Sequence, residues 1–504
     1  MQVYNRRQWL GGLAALCACT PKQSPPNVLL VVADDQSWPH AGAYGFKNVS
    51  TPAFDRIATE GVLFTHGFSA CPSCTPSRTA LLTGRHIWQT GEAGVLYGTM
   101  PPDLPLFPHA IADAGYRTGF TGKGWGPGDW QAAGLKRHPI GREYNAKKHQ
   151  SKVPPAIDER DYAANFEQFL DDAPASSPFF FWLGSTEPHR LYDNSVPERA
   201  VEVPGYLPNT PEVRRDLSAY LSEIEWYDRQ LARVLKLLED RHLLDNTLII
   251  VTSDNGLPFP RAKVNLYDAG LRMPLAIRFG ARGRGFRCDA LVTHTDISAT
   301  ILDAAKLPLL NGSVGKSLLP LLDKPEGAVH SHILAGLERH VMARPDGATY
   351  PCRSIRTNDY LYIRNFAPDR WPTGGDFLSS NRTQHGDIDG APTKDVLLDL
   401  ANATKFARQI ALATGKRPAE ELYDLKADPE QLNNIAASSP AKAAELWALL
   451  QQELKATNDP RVEGRDPWQA YPYRQTTGYG ASFNSTLPEE RRRQAREAPT
   501  HKPE

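Results

Sequence analysis

Three stretches of this chain run apolar without alternation and then stop on charged or amide residues: NVLLVVADD (27–35), PFFFWLGSTEPHR (178–190) and NTLIIVTSDNG (246–256). A strand with one wet face alternates apolar and polar side chains. An unbroken Val/Ile/Leu/Phe run is buried on both faces, which happens in parallel sheets covered by helices. The intervening segments supply those helices. TPAFDRIATEG (51–61) has a Thr-Pro start and a Gly stop, and LFPHAIADAGY (106–116) reads the same way. RTGFTGKG (117–124) predicts a short strand and loop, and residues 211–240 a long helix with apolar positions three and four apart. This alternation predicts an α/β fold: a large, mainly parallel sheet sandwiched by helices. Ligands of such sheets gather beyond the carboxyl ends of the strands, where Asp34-Asp35, Glu187-Pro188-His189-Arg190 and Asp254-Asn255 fall.

A chain of 504 residues exceeds one small core. Beyond residue 325 the texture changes: SIRTNDYLYIRNF (354–366) resembles antiparallel strand material and PAKAAELWALLQQELKAT (440–457) a helix. The expected organisation is a catalytic domain over 27–325, a smaller C-terminal α+β domain over 326–460, and a polar, partly disordered extension over 461–504. With 57 basic and 57 acidic residues the formal net charge is zero, which argues against nucleic acid as a partner and requires any polyanion to be gripped locally. No stretch is long and apolar enough to span a bilayer. NRRQWLGGLAALCACT, by contrast, reads as an export signal of twin-arginine type over residues 1–19, with Cys19 as the lipidated residue and 20–26 as a tether. An ordinary cleaved signal peptide is the alternative. The expected location is the bacterial cell envelope or periplasm, with a lipid anchor as the only membrane contact.

Asp34, Asp35, Asp254 and Asn255 form an all-oxygen set from two distant strands, which suits calcium or magnesium better than zinc or copper. Capping of turns is the plainer reading of the same residues. A cation there implies an anionic substrate and cationic groups for developing charge. Arg78, Lys123, His189 and Lys263 are candidates that spacing alone does not select. The six cysteines (17, 19, 71, 74, 288 and 352) are too few for a disulfide scaffold. Cys71 and Cys74, as C-x-x-C, could form a bridge, half a zinc site or a redox pair, although no second C-x-x-C exists to complete a zinc site.

C-T-P-S-R (74–78) followed by TALLTGR resembles the signature of the type I, formylglycine-dependent sulfatases of the alkaline phosphatase superfamily. VVADDQ, GYRTGFTGKG (115–124), EPHR, SDNG (253–256), KVNLYDAGLRMP (263–274), THTDISATILDAA (293–305) and ELYDLKADPEQLNNIA (421–436) are similar to that family's landmarks, in order along the chain. The resemblance implies an alkaline phosphatase-like fold. It also implies that a maturation enzyme oxidises Cys74 to formylglycine, whose hydrate is the nucleophile, leaving Cys71 a bystander. Asp34, Asp35, Asp254, Asn255 and position 74 would hold Ca2+, with Mg2+ as the alternative. Arg78 would fix the hydrate, Lys123 and Lys263 would hold sulfate oxygens, and His189 would serve the leaving group, with Arg190 beside it in substrate binding.

One departure stands out. The family pattern is G-K-x-H, whereas here Gly122-Lys123-Gly124 is followed by Trp125. The missing imidazole would have to come from elsewhere, with His40, His86 and His138 as candidates. SDNGLPFP, NLY, EPHR, PNTPEVRRDL (208–217) and YPCRSIRTNDYLYIRN (350–365) look most like the sulfamidase branch, the heparan N-sulfatases. Lys263 and Trp125 do not match that branch. The implied substrate is an N- or O-sulfated glucosamine-type glycan. Two other classes remain open: a phosphodiesterase or phosphonate hydrolase of the same superfamily, and a non-catalytic glycan-binding lipoprotein, which would keep Cys74 unconverted.

Overall fold

The computed structural model describes residues 25–474, apart from 173, 175, 176, 194 and 376–383. The export signal, Cys19, most of the tether and residues 475–504 therefore lie outside the described residues.

Strands β1 (Asn27–Ala33), β2 (Val62–Phe68), β3 (Arg117–Gly122), β4 (Arg142–Glu143), β5 (Phe179–Gly184), β6 (Thr247–Ser253), β7 (Arg272–Phe279), β8 (Phe286–Cys288) and β9 (Val292–Thr293) form one sheet. Its order is β4-β3-β5-β1-β6-β7-β2-β8, with β9 also on β2. β7 runs antiparallel to both of its neighbours, and the remaining pairs are parallel. The three apolar runs are thus β1, β5 and β6, side by side at the centre. Alternation along β1 explains why none of them alternates in polarity. Val28, Leu30 and Val32 face a core built with Leu81, Phe107, Ile297 and Ile301, while Leu29, Val31 and Ala33 face Phe54, Phe166, Leu231 and Val234. Helices α1 (Pro52–Glu60), α2 (Cys74–Thr83), α3 (Phe107–Asp113), α4 (Tyr162–Asp171) and α5 (Pro211–Asp240) supply most of these partners.

The register brings the functional ends level. Ala33 pairs with Ser253, and Val32 with both Thr252 and Gly184. Asp254 N–H donates to Ala33 C=O at 3.1 Å, and Asp34 N–H to Glu187 C=O at 3.1 Å. Gly122 ends β3 at φ +76°, and a Cβ there would lie 1.9 Å from the Gly184 carbonyl oxygen. Only glycine permits that approach, through which Lys123 N–H reaches the same carbonyl at 2.7 Å.

A second sheet, β10 (Ile333–Leu337), β11 (Cys352–Arg356), β12 (Tyr360–Asn365) and β13 (Glu420–Asp424), is antiparallel throughout, with the helix Pro440–Ala456 packed on it. Its core is continuous with Phe68, Cys71, Ile87 and Trp88 of the first unit. Residues 461–474, the start of the expected C-terminal extension, pack on this core. Trp468 and Tyr473 are buried, and Arg339 donates to Tyr471 C=O at 2.9 Å. A buried ion cluster ties these parts together: Arg353 Nε lies 2.6 Å from Asp459 and Nη2 2.7 Å from Glu338, with Arg461 also on Glu338. Removing one partner from such a cluster leaves uncompensated buried charge. Arg353→Ala should therefore cost about 3–5 kcal/mol in urea unfolding, and a loss below about 1 kcal/mol would contradict this account.

Candidate active site

Position 74 opens α2 at the carboxyl edge of the large sheet. Ser73, the N-cap, does not cap its own helix; its hydroxyl instead meets His340 Nδ1 at 2.8 Å. One turn into the helix, Arg78 is fully buried. Its Nε donates to Asp254 Oδ2 at 2.7 Å, and its Nη1 to the carbonyls of Lys123 (2.9 Å) and Gly124 (2.8 Å). Arg78 thus locks the β6 end to the β3 end beneath Cys74.

The expected oxygen set meets at one point. Ligand atoms of Asp34, Asp35 and Cys74 lie within 4.8 Å of one another. Asp254 Oδ1 accepts from the N–H groups of Asp35 (3.1 Å) and Asn255 (2.8 Å), and Asn255 Nδ2 donates to Asp35 Oδ1 at 2.6 Å. Asn255 Oδ1 is buried with no partner. A buried amide oxygen without a donor, beside three carboxylates, is what a hard cation would satisfy. These residues fit Ca2+ or Mg2+.

Cationic groups ring the carboxylates. Lys123 Nζ bonds both Asp34 oxygens (2.7 and 2.6 Å), and Lys263 Nζ bonds Asp35 Oδ2 at 2.7 Å. His189 Nε2 stands 3.8 Å from Asp35 Oδ2. Burial would raise the Asp34 carboxyl, but Lys123, His189 and Arg78 more than offset it and hold it below the usual range. Burial, which Asp34 and Asp254 reinforce, pushes Asp35 up despite Lys263. The Cys74 thiol is pushed up to about 12, mainly by burial. A thiol that weakly acidic is a poor nucleophile at neutral pH. Cys71, Cys74, Cys288 and Cys352 are free.

Arg190, expected in substrate binding, is held by partners within the protein. Its guanidinium is committed to Asp216 at 2.7 and 2.9 Å and to Pro258 C=O at 2.8 Å, which fixes the loop after β5. Trp125 is buried in the core with Nε1 on Thr79 Oγ1 at 2.8 Å. The three histidines considered as substitutes bond elsewhere: His40 to Tyr220 OH, His86 stacked on Trp88, and His138 stacked on Phe120. An imidazole that no motif marked, His340, bonds Ser73, the residue before position 74. Its followers Val341, Met342 and Ala343 pack on Cys74 together with Leu96 and Tyr473. Asp389, also unmarked, reaches Lys263 at 3.3 Å.

A family model described as Sulfatase matches residues 26–307. The chain is 28% identical to an ulvan-active sulfatase of Formosa agariphila, over 83% of this chain and 77% of that one. It is also 28% identical to human N-sulphoglucosamine sulphohydrolase, over 91% and 93%. A solved structure in complex with its substrate D-glucosamine-2-N,6-O-disulfate superposes with a TM-score of 0.63 at 21% identity, covering 88% of this chain and 100% of that one. The large sheet between helices is the alkaline phosphatase-like arrangement.

If the oxygen set holds a cation, calcium should raise the thermal midpoint by mass action, equivalent to about 2.7 kcal/mol at one hundred times Kd. Asn255→Leu should abolish the rise, and a wild-type midpoint indifferent to both calcium and magnesium would contradict the assignment.

Proposed function

Because the chain belongs to the sulfatase family, hydrolases of sulfate esters or sulfamates, we propose that it removes sulfate from an N- or O-sulfated glucosamine-type glycan. The observation that carries this reading is the meeting of Cys74, at the head of α2, with the Asp34–Asp35–Asp254–Asn255 oxygen set between Lys123 and Lys263. The named activity of the human relative and the disulfated glucosamine of the solved neighbour support the amino sugar.

When matured, formylglycine at position 74 supplies an oxygen nucleophile, and a divalent cation held by Asp34, Asp35, Asp254 and Asn255 supplies positive charge beside it. Arg78 orients this region by bridging Asp254 to the Lys123–Gly124 carbonyls. Lys123 and Lys263 take the sulfate oxygens and stabilise charge that develops on them. His189 Nδ1 donates to Arg190 C=O at 2.7 Å, since a carbonyl only accepts. That leaves Nε2 to hold and deliver the leaving-group proton. With Trp125 in the core, the nearby imidazole is that of His340, on the Ser73 hydroxyl. Burial lowers it to about 4, so at neutral pH it is uncharged and only weakly basic. The partners of this reading are a maturation enzyme for Cys74 and the sulfated glycan. The location is the cell envelope, with Cys19 as the lipid anchor; no helix among the described residues is long and apolar enough to cross a membrane.

Sulfate release from N-sulfoglucosamine and glucosamine 6-O-sulfate tests the reading, with bis(p-nitrophenyl) phosphate as the competing probe. The wild type should favour a sulfated sugar, and Cys74→Ala should lose at least about 10³-fold in kcat. Preferred turnover of the phosphodiester would instead indicate a phosphodiesterase or phosphonate hydrolase.

A further inference from the structure

Asp389 is a fourth carboxylate at the site, and it differs from the other three. Its side chain keeps 27% of its surface exposed, whereas that of Asp34 keeps 3% and those of Asp35 and Asp254 none. It accepts from Lys263, which also donates to Asp35, so one ammonium is shared between an inner and an outer carboxylate. Burial would raise its carboxyl, but Lys263, His189, His340 and Arg190 more than offset that and keep it ionised.

The loop carrying Asp389 is built to hold it in place. Asp387 pairs with Arg344 at 2.8 Å and accepts from Val341 N–H at 3.1 Å. Buried Lys394 donates to the carbonyls of His385 (3.2 Å) and Ile388 (2.9 Å). Thr393 Oγ1 donates to Asp216, the carboxylate that also holds Arg190. Asp389 is therefore fixed from both sides and registered to the same Arg190–Asp216 pair as the His189 loop.

A fixed carboxylate repels sulfate oxygens, and it is absent from the oxygen set. Its exposed position suits contact with the sugar that bears the scissile group. On the sulfatase reading above, on which this inference rests, we infer that Asp389 is a specificity-determining residue. It accepts a hydrogen bond from a hydroxyl or ammonium group of that sugar and disfavours a second sulfate on it. Both effects come from one charge: attraction selects the donor, and repulsion rejects the extra anion.

The test compares kcat/KM for a monosulfated glucosamine with that for glucosamine-2-N,6-O-disulfate. The monosulfated probe is whichever of N-sulfoglucosamine and glucosamine 6-O-sulfate the wild type turns over. The wild type should prefer the monosulfated sugar by at least about tenfold, and Asp389→Asn, which keeps an oxygen for Lys263, should shrink that ratio about tenfold. An unchanged ratio, with both substrates slowed equally, would mean that Asp389 merely positions Lys263 and would overturn the inference. Equal or better turnover of the disulfate by the wild type would overturn it without any variant. Failure of the wild type to release sulfate from either sugar or from 4-methylumbelliferyl sulfate would overturn the sulfatase reading, and this inference with it. The first two failures leave that reading standing.

Discussion

Asp34, Asp35 and Asp254 are each buried at the carboxyl ends of β1 and β6, and ligand atoms of Asp34 and Asp35 lie within 4.8 Å of each other. Burying one ion costs several kcal/mol unless it is paired and hydrogen-bonded. Arg78, Lys123 and Lys263 answer that demand, each from a different part of the chain. Parallel register sets the aspartates level, and the close glycine contact at the end of β3 brings Lys123 to them. On the proposed reading the same balance would serve chemistry, because cations that stabilise carboxylates could also receive sulfate oxygens once a metal ion shared the load.

The C-terminal part is no mere appendage to this arrangement. Its sheet shares a core with the segment leading to Cys74, Gly336 N–H donates to Ala70 C=O at 3.1 Å, and His340, Tyr473 and Asp389 all reach the site from it. The first unit provides the carboxylates and lysines, and the second closes over position 74.

Much of this was legible in the sequence. The apolar runs of β1, β5 and β6 could be read because burial on both faces suppresses alternation, and Asp34, Asp35 and Asp254 could be placed because they end those runs. Lys123, Lys263 and Arg78 were placed only by resemblance, since a lone cation carries no periodic signal. His340 and Asp389 were invisible for a different reason. They lie on irregular segments and meet their partners across 267 and 126 positions. Arg190 sits in a recognisable motif, yet its role follows from Asp216 on α5, which the motif does not contain. Trp125 stands where the resemblance implied a histidine, and it is buried with Nε1 on Thr79.

The central claim is that Cys74 is a precursor rather than the working nucleophile. Mass spectrometry of the tryptic peptide spanning residues 57–78, from protein purified out of its native host, tests it most directly. The account predicts an aldehyde or its hydrate at position 74, with Cys71 still a thiol. An intact Cys74 thiol, or a Cys71–Cys74 disulfide, would contradict it.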